Sequence, residues 1–280
     1  MKKIVLFFSV ALLSIGIEAQ VKTPQPSPSS KIEQVIGLTD VTVAYSRPSM
    51  KGRAIFGNLV PYDKLWRTGA NKNTQITFSD DVKIGGKELK KGTYAIYTKP
   101  GKENWEVIFY SDANNWGTPQ KWDATKAALT TTVKATTIPI NVETFTIMFS
   151  DFKMDSAILS FLWATTEVAL KVEVPSKEKA MASIKKVMDG PSAGDHYQAA
   201  TFYKEVGEIA KAKEHIDKAI SLRKNPAFWY HRQQSLIYAK SGDKAGAIKA
   251  AKTSLQLAEK AGNADYVKLN KDSLLEWGAK

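Results

Sequence analysis

The sequence predicts an α+β chain of two domains, an antiparallel β-sandwich or barrel-like domain followed by a domain of α-helices. Two observations carry this. Between Lys31 and Pro175 the apolar residues alternate with period 2, as in strands that bury one face. Beyond Val174-Pro175 the chain turns to Ala, Lys, Glu, Leu and Tyr at helical spacing. Strands first and helices afterwards mark an α+β arrangement. With 280 residues, 43% hydrophobic and 10% aromatic, the chain can bury ordinary cores.

Lys2 and Lys3 precede an apolar run from Ile4 to Ile17, and Ala19 follows. This is the order of a secretory signal, so residues 1–19 are expected to be removed and the protein exported to the periplasm or beyond a Gram-negative type envelope. The run falls short of the roughly 20 residues that span a bilayer, so no transmembrane segment is expected after cleavage. Residues 20–30, with Pro24, Pro26 and Pro28, read as an extended Pro/Ser linker.

Residues 31–175 form the β domain. Val41-Val43-Tyr45, Ile76-Phe78, Trp105-Val107-Phe109, Phe145-Ile147-Phe149 and Val168-Leu170-Val172-Val174 each present one inward face. Gly85-Gly86 and Pro100-Gly101 supply tight turns between such runs. With Thr93–Lys99 and Ala157–Trp163, at least seven strands are expected.

Residues 176–280 form the helical domain, broken at Gly190-Pro191, Gly207, Asn225-Pro226, Gly242 and Gly262 into about six helices. His196, Tyr203, Gly207, Ala212 and Ile216 recur 35 residues later as His231, Tyr238, Gly242, Ala247 and Ala251. This spacing resembles the tetratricopeptide repeat, in which the glycines turn between paired helices and the alanines let them press together. The resemblance departs from the motif where His stands for its usual Trp, and two repeats are readable. Stacked repeats need about three units to bury a continuous face, so this half is expected to lean on the β domain and to offer a surface to a protein or peptide partner.

Chemistry is sparse. The absence of cysteine removes thiol nucleophiles, disulfides, iron–sulfur clusters and Cys-bound zinc together. The three histidines, His196, His215 and His231, all fall in the helical half and read as packing residues. No catalytic residue, metal ligand or cofactor is assigned. The segment from Ser46 to Asn71 instead places Arg47, Arg53, Tyr62, Trp66 and Arg67 on an irregular connection, where binding residues concentrate. Asn114-Asn115-Trp116-Gly117 is a second such loop. Arg47, Arg53, Trp66, Arg67, Asn71 and Trp116 are the candidate ligand-binding residues, with guanidinium forks for an anion and flat rings for a sugar. The competing reading places Trp66 in the core and the arginines on internal carbonyls.

The runs SRPSMKGRAIFG, LVPYDKLWRTGAN, GTYAIYTKPG, WEVIFYSDANNWG and ETFTIMFS resemble the ordered motifs of the DUF2911 family over roughly residues 29–174. The resemblance implies an exported β domain of Bacteroidetes type, often followed by helical repeats, and carries over no catalytic role.

Residues 176–280 hold 19 Lys+Arg against 12 Asp+Glu, while residues 20–175 hold 19 against 15. The excess is spread along helix faces and interleaved with Glu, so it reads as a solvated surface and no nucleic acid partner is expected. The function expected is an exported binding or scaffold protein, its β domain taking a small anionic or glycan ligand. The alternative is an envelope enzyme acting on a carbohydrate or anionic substrate through carboxylates such as Asp63 or Asp112.

Overall fold

The computed structural model describes residues 23–188 and 190–279. The expected signal segment, residues 1–19, lies outside the described residues. The chain begins with β1 (Ser29–Ile36), β2 (Thr39–Ser46), β3 (Thr74–Phe78), β4 (Val82–Ile84), β5 (Lys87–Leu89), β6 (Gly92–Pro100) and β7 (Asn104–Tyr110). Two long strands follow, β8 (Ala127–Ser150) and β9 (Ser156–Glu173). All pair antiparallel, in the order β1-β2-β3-β6-β7-β8-β9-β4-β5. The α+β class expected from the sequence is therefore present, with nine strands among the described residues where at least seven were expected.

A flat 24-residue strand would outrun any partner, and β8 does not stay flat. Its register against β9 slips between Thr137 and Val142 and again between Val142 and Thr146, and bulges of this kind bend a strand. The first part of β8 pairs with β7, whereas its last part meets the residues just after β2. Met50 N–H donates to the Glu143 carbonyl and Phe145 N–H to the Pro48 carbonyl, both at 2.8 Å. Pairing thus runs from β2 through β3, β6, β7 and β8 back to the continuation of β2. Of the sandwich and barrel alternatives, the barrel-like one describes this ring.

Alternation does the packing. Val41, Val43, Ile76, Ile96, Val107, Phe109, Phe145, Ile147, Leu159 and Phe161 turn into one buried core. The expected linker is shorter than the Pro/Ser composition suggests, because Ser29 already lies in β1. The Pro28 carbonyl accepts from Arg47 N–H at 2.9 Å. Proline removes donors but leaves carbonyls free to pair.

The helices are α1 (Ser176–Val187), α2 (Ala193–Glu205), α3 (Ile209–Ser221), α4 (Phe228–Lys240), α5 (Lys244–Lys260) and α6 (Ala264–Glu276). Three of them begin on side-chain caps. Ser192 and Asp195 form a capping box at α2, while Asp243 and Asn263 cap α5 and α6. Gly207 and Gly242, at φ +80° and +83°, occupy left-handed positions that disfavour a Cβ. Ala212 and Ala247 are fully buried, so the residues repeated at 35-residue spacing hold equivalent places in the α2–α3 and α4–α5 hairpins. No helix among the described residues is long and apolar enough to cross a membrane.

The two halves meet at the turn between β1 and β2. Leu38 N–H donates to Ser176 Oγ at 3.2 Å, and Lys179 Nζ reaches the Leu38 carbonyl at 2.6 Å and Asp80 Oδ2 at 2.7 Å. Asp80 also accepts from Thr39 and Ser79. Burial alone would raise its carboxyl, but Lys179 and the two hydroxyls together hold it below the usual carboxylate range.

Candidate functional site

The irregular segment after β2 is rich in arginine and aromatics because it closes one end of the ring. Trp66 is turned inward, stacking on Trp163 at 5.8 Å and meeting Phe145, Trp105 and Phe56 edge-on at 5.2 to 6.2 Å. Its indole N–H donates to the Gly69 carbonyl. The arginines of this segment are held by nearby oxygens. Arg47 donates to the Phe145 carbonyl and Thr146 Oγ1, Arg53 to the carbonyls of Met50 and Ser49, and Arg67 to that of Asn71. Asn71, at φ +57°, donates to the Ser27 carbonyl and Ser46 Oγ. Trp66 thus packs on the core and Arg47 on the ring closure, while Arg53 stays exposed on carbonyls of its own loop.

Arg67, Asn71 and Trp116 do come together, on the outer face. A Cβ at Gly117 would sit 3.2 Å from Arg67 Nη1, and the backbone of Trp116 bridges that of Lys72. Trp116 is 77% exposed, unusual for so large an apolar side chain. Its loop is nevertheless pinned. Asn73 N–H donates to the Asn115 carbonyl, and Lys72 Nζ and Gln75 Nε2 both reach Asn114 Oδ1, at 3.2 and 3.3 Å. Beneath it Trp122 lies against Tyr110 at 4.5 Å and Tyr97 at 5.9 Å. The Tyr97 hydroxyl accepts from Asn73 at 3.0 Å, and burial pushes its acidity down by raising its pKa.

Beside this loop runs a groove of about 270 Å³. Its walls are Lys31 from β1, Ala44 and Ser46 from β2, and Lys72, Asn73 and Gln75 at the start of β3. Lys72, whose backbone bridges that of Trp116, lines the groove and turns its ammonium to Asn114 Oδ1. Ammonium, amides, hydroxyls and an open ring suit a ligand with anionic and hydroxyl groups. Lys31, Lys72, Asn73 and Gln75 were not among the sequence candidates. The period-2 pattern of β3 does put Gln75 and Thr77 on its outer face, which is the signal available for Gln75, whereas Asn73 precedes the strand and is buried against Tyr97.

A second cavity of about 380 Å³ lies where the β4–β5 hairpin approaches the start of α1, lined by acids and lysines of both halves. Its charges are already matched in part, Lys90 pairing with Asp81 at 2.9 Å. Asp112, a carboxylate near the aromatic loop, pairs with Lys126 at 3.0 Å, and that contact holds it below the usual range. A general acid needs the opposite shift. No group of three or more metal-ligating side chains is present among the described residues.

In the helical half His196 and His215 share an Nδ1–Nδ1 hydrogen bond of 2.9 Å, one ring donating and the other accepting. Desolvation depresses both pKa values, and for His196 the neighbouring His215 adds to it. A histidine depressed in the folded state takes up protons preferentially when unfolded, so stability is flat above about pH 6.5 and falls as pH drops below it. The melting temperature is therefore expected to decline between pH 7.5 and 5.5, and His215→Gln to flatten that decline. An unchanged decline in the variant would remove the pair as its source.

A family model described as "Protein of unknown function (DUF2911)" matches residues 27–172, the span from the Ser27 contact through β9 that contains both the ring and the outer-face groove. No curated protein matches the chain. The chain thus belongs to the DUF2911 family, its β domain being the part the family defines.

Proposed function

We propose that this is an exported binding protein whose β domain takes a small anionic or glycan ligand in the outer-face groove, and whose helices, read as tetratricopeptide-like repeats, engage a partner protein. The reading carries with it the removal of residues 1–19 as a signal segment and a place in the periplasm or outside the cell. One observation carries the ligand half of it. Trp116 stands open to solvent on a loop pinned by Lys72, Asn73 and Gln75, so little backbone ordering is lost on binding. A sugar can lie its apolar face on the indole while a carboxylate meets Lys72. Binding is favoured over carboxylate catalysis because the shifted aspartates, Asp80, Asp81, Asp112, Asp123 and Asp195, all move downward, as suits charge pairs and caps.

The test is a thermal-shift screen of acidic and neutral oligosaccharides against the full chain, since a ligand of the folded state raises apparent stability. An acidic oligosaccharide is expected to raise the melting temperature. Trp116→Ala, which removes an exposed ring, is expected to melt like wild type and to lose affinity by roughly tenfold or more. Wild-type affinity in the variant, or no response from any saccharide, would sink the ligand reading.

A further inference from the structure

β1 is an open edge of the sheet, paired with β2 on one side and with no strand on the other among the described residues. Which of its backbone groups face the open side follows from the ladder. Arg47 N–H donates to the Pro28 carbonyl, and the register that sets Ser29 against Ser46 makes Pro28 and Arg47 a hydrogen-bonded pair. Such pairs alternate along an antiparallel ladder, so Ser30, Ile32, Gln34 and Ile36 turn their N–H and C=O groups to β2. Those of Ser29, Lys31, Glu33 and Val35 point to the open side. Gln34 Nε2 donates to the Val35 carbonyl at 3.0 Å, a side chain covering one of the groups that the ladder leaves unpaired.

Native sheets guard such edges with proline, bulges, short strands or charge. β1 spans eight residues without proline and without a register shift against β2, and its two charged residues are of opposite sign. Lys31 and Glu33 stand exposed on one face and touch each other, while Ile32 between them packs against the core. That spacing is self-complementary. When a second copy of β1 lies antiparallel along the edge, pairing about Ile32 sets Lys31 opposite Glu33 twice, and both members of each pair have free backbone groups to exchange. A shift of two residues either way sets Lys31 against Lys31 or Glu33 against Glu33, and like charges directly opposed are unfavourable. A shift of one residue sets free groups against groups already bonded to β2.

We infer that the β1 edge joins two copies of this chain in a two-fold dimer, with Lys31 and Glu33 of each copy exchanging backbone hydrogen bonds with Glu33 and Lys31 of the other. The backbone bonds supply the affinity. The charges fix the register, since exposed ion pairs contribute little while opposed like charges reject the alternatives. Ile32 meets Ile32 on the axis as a non-hydrogen-bonded pair, the class in which side chains come closest. One strand a side is a small interface, below the roughly 1,200 Å² of stable complexes, so the dimer forms in a concentration-dependent way. The inference goes beyond the ligand reading and does not depend on it.

The test is sedimentation velocity of the full chain at rising protein concentration. Wild type is expected to pass from monomer to dimer. Glu33→Pro removes an N–H that faces the open side and that β2 does not use, so the variant is expected to melt near wild type and to stay monomeric. Glu33→Lys and Lys31→Glu each oppose like charges, and each is expected to weaken self-association by roughly tenfold or more. Mixed together, these two are expected to form a dimer in which every lysine meets a glutamate. A wild type that stays monomeric at every concentration, a dimer undiminished in a folded Glu33→Pro, or a mixture that restores no dimer would each overturn the inference. So would a monomer that takes up an unrelated extended peptide along β1 in place of its own copy, which would assign the edge to a foreign strand. If Glu33→Pro does not fold, the two charge variants and their mixture decide.

Discussion

Gly37→Ala is expected to destabilise the protein by about 3 kcal/mol, combining a left-handed backbone with overpacking. Gly37 sits at φ +57°. A Cβ there would lie 1.8 Å from Ser176 Oγ and 2.4 Å from the Met154 carbonyl oxygen. The serine can rotate away, at the expense of its bond from Leu38 N–H, but the main-chain carbonyl cannot. Because the turn carries Leu38 and lies beside Thr39, Asp80 and Lys179, the strain is delivered to the contact between the halves. Limited proteolysis should therefore cut near Pro175 sooner in the variant. Gly52→Ala is the internal control. Its φ is +71°, but nothing lies within 4 Å of the added Cβ, so only the backbone term of roughly 1 to 2 kcal/mol applies. Chemical denaturation of the two variants separates the terms; equal losses would mean that the close approach at Gly37 carries no weight.

Trp66→Ala is expected to cost roughly 3 to 5 kcal/mol, the range for removing a core tryptophan. The loss is large because four aromatic partners converge on this half-buried ring. Trp66→Phe keeps much of the contact but loses the bond to the Gly69 carbonyl, so an intermediate loss is expected. Ligand affinity of whatever folded Trp66→Phe remains should match wild type, since the ring faces away from the outer groove. A normal melting curve for Trp66→Ala with lost ligand binding would reverse its assignment to the core.

These residues show what a sequence discloses. Alternation in Val41-Val43-Tyr45 and Phe145-Ile147-Phe149 reports inward faces directly, since strand geometry fixes the period. Gly207 and Gly242 report turns because few other residues tolerate their backbone. Trp66 was ambiguous for a physical reason. It stands on an irregular segment, and the rings that bury it come from Trp105, Phe145 and Trp163, far away in the chain. Arg47 looked available because the groups that hold it, at Phe145 and Thr146, lie almost a hundred residues away on β8, where no local pattern reveals the pairing. Lys72 and Gln75 become the side of a groove only when β1 and β2 are laid beside them.

The central claim, that the outer face of the β domain is the ligand site, is tested most directly by hydrogen–deuterium exchange of the full chain with and without a saccharide that responds in the thermal-shift screen. The expected result is protection of residues 29–31, 44–46, 72–75 and 112–117, the groove walls and the aromatic loop, with the helical half unchanged. Protection confined to the cavity between the β4–β5 hairpin and α1, or confined to the helices, would contradict the claim.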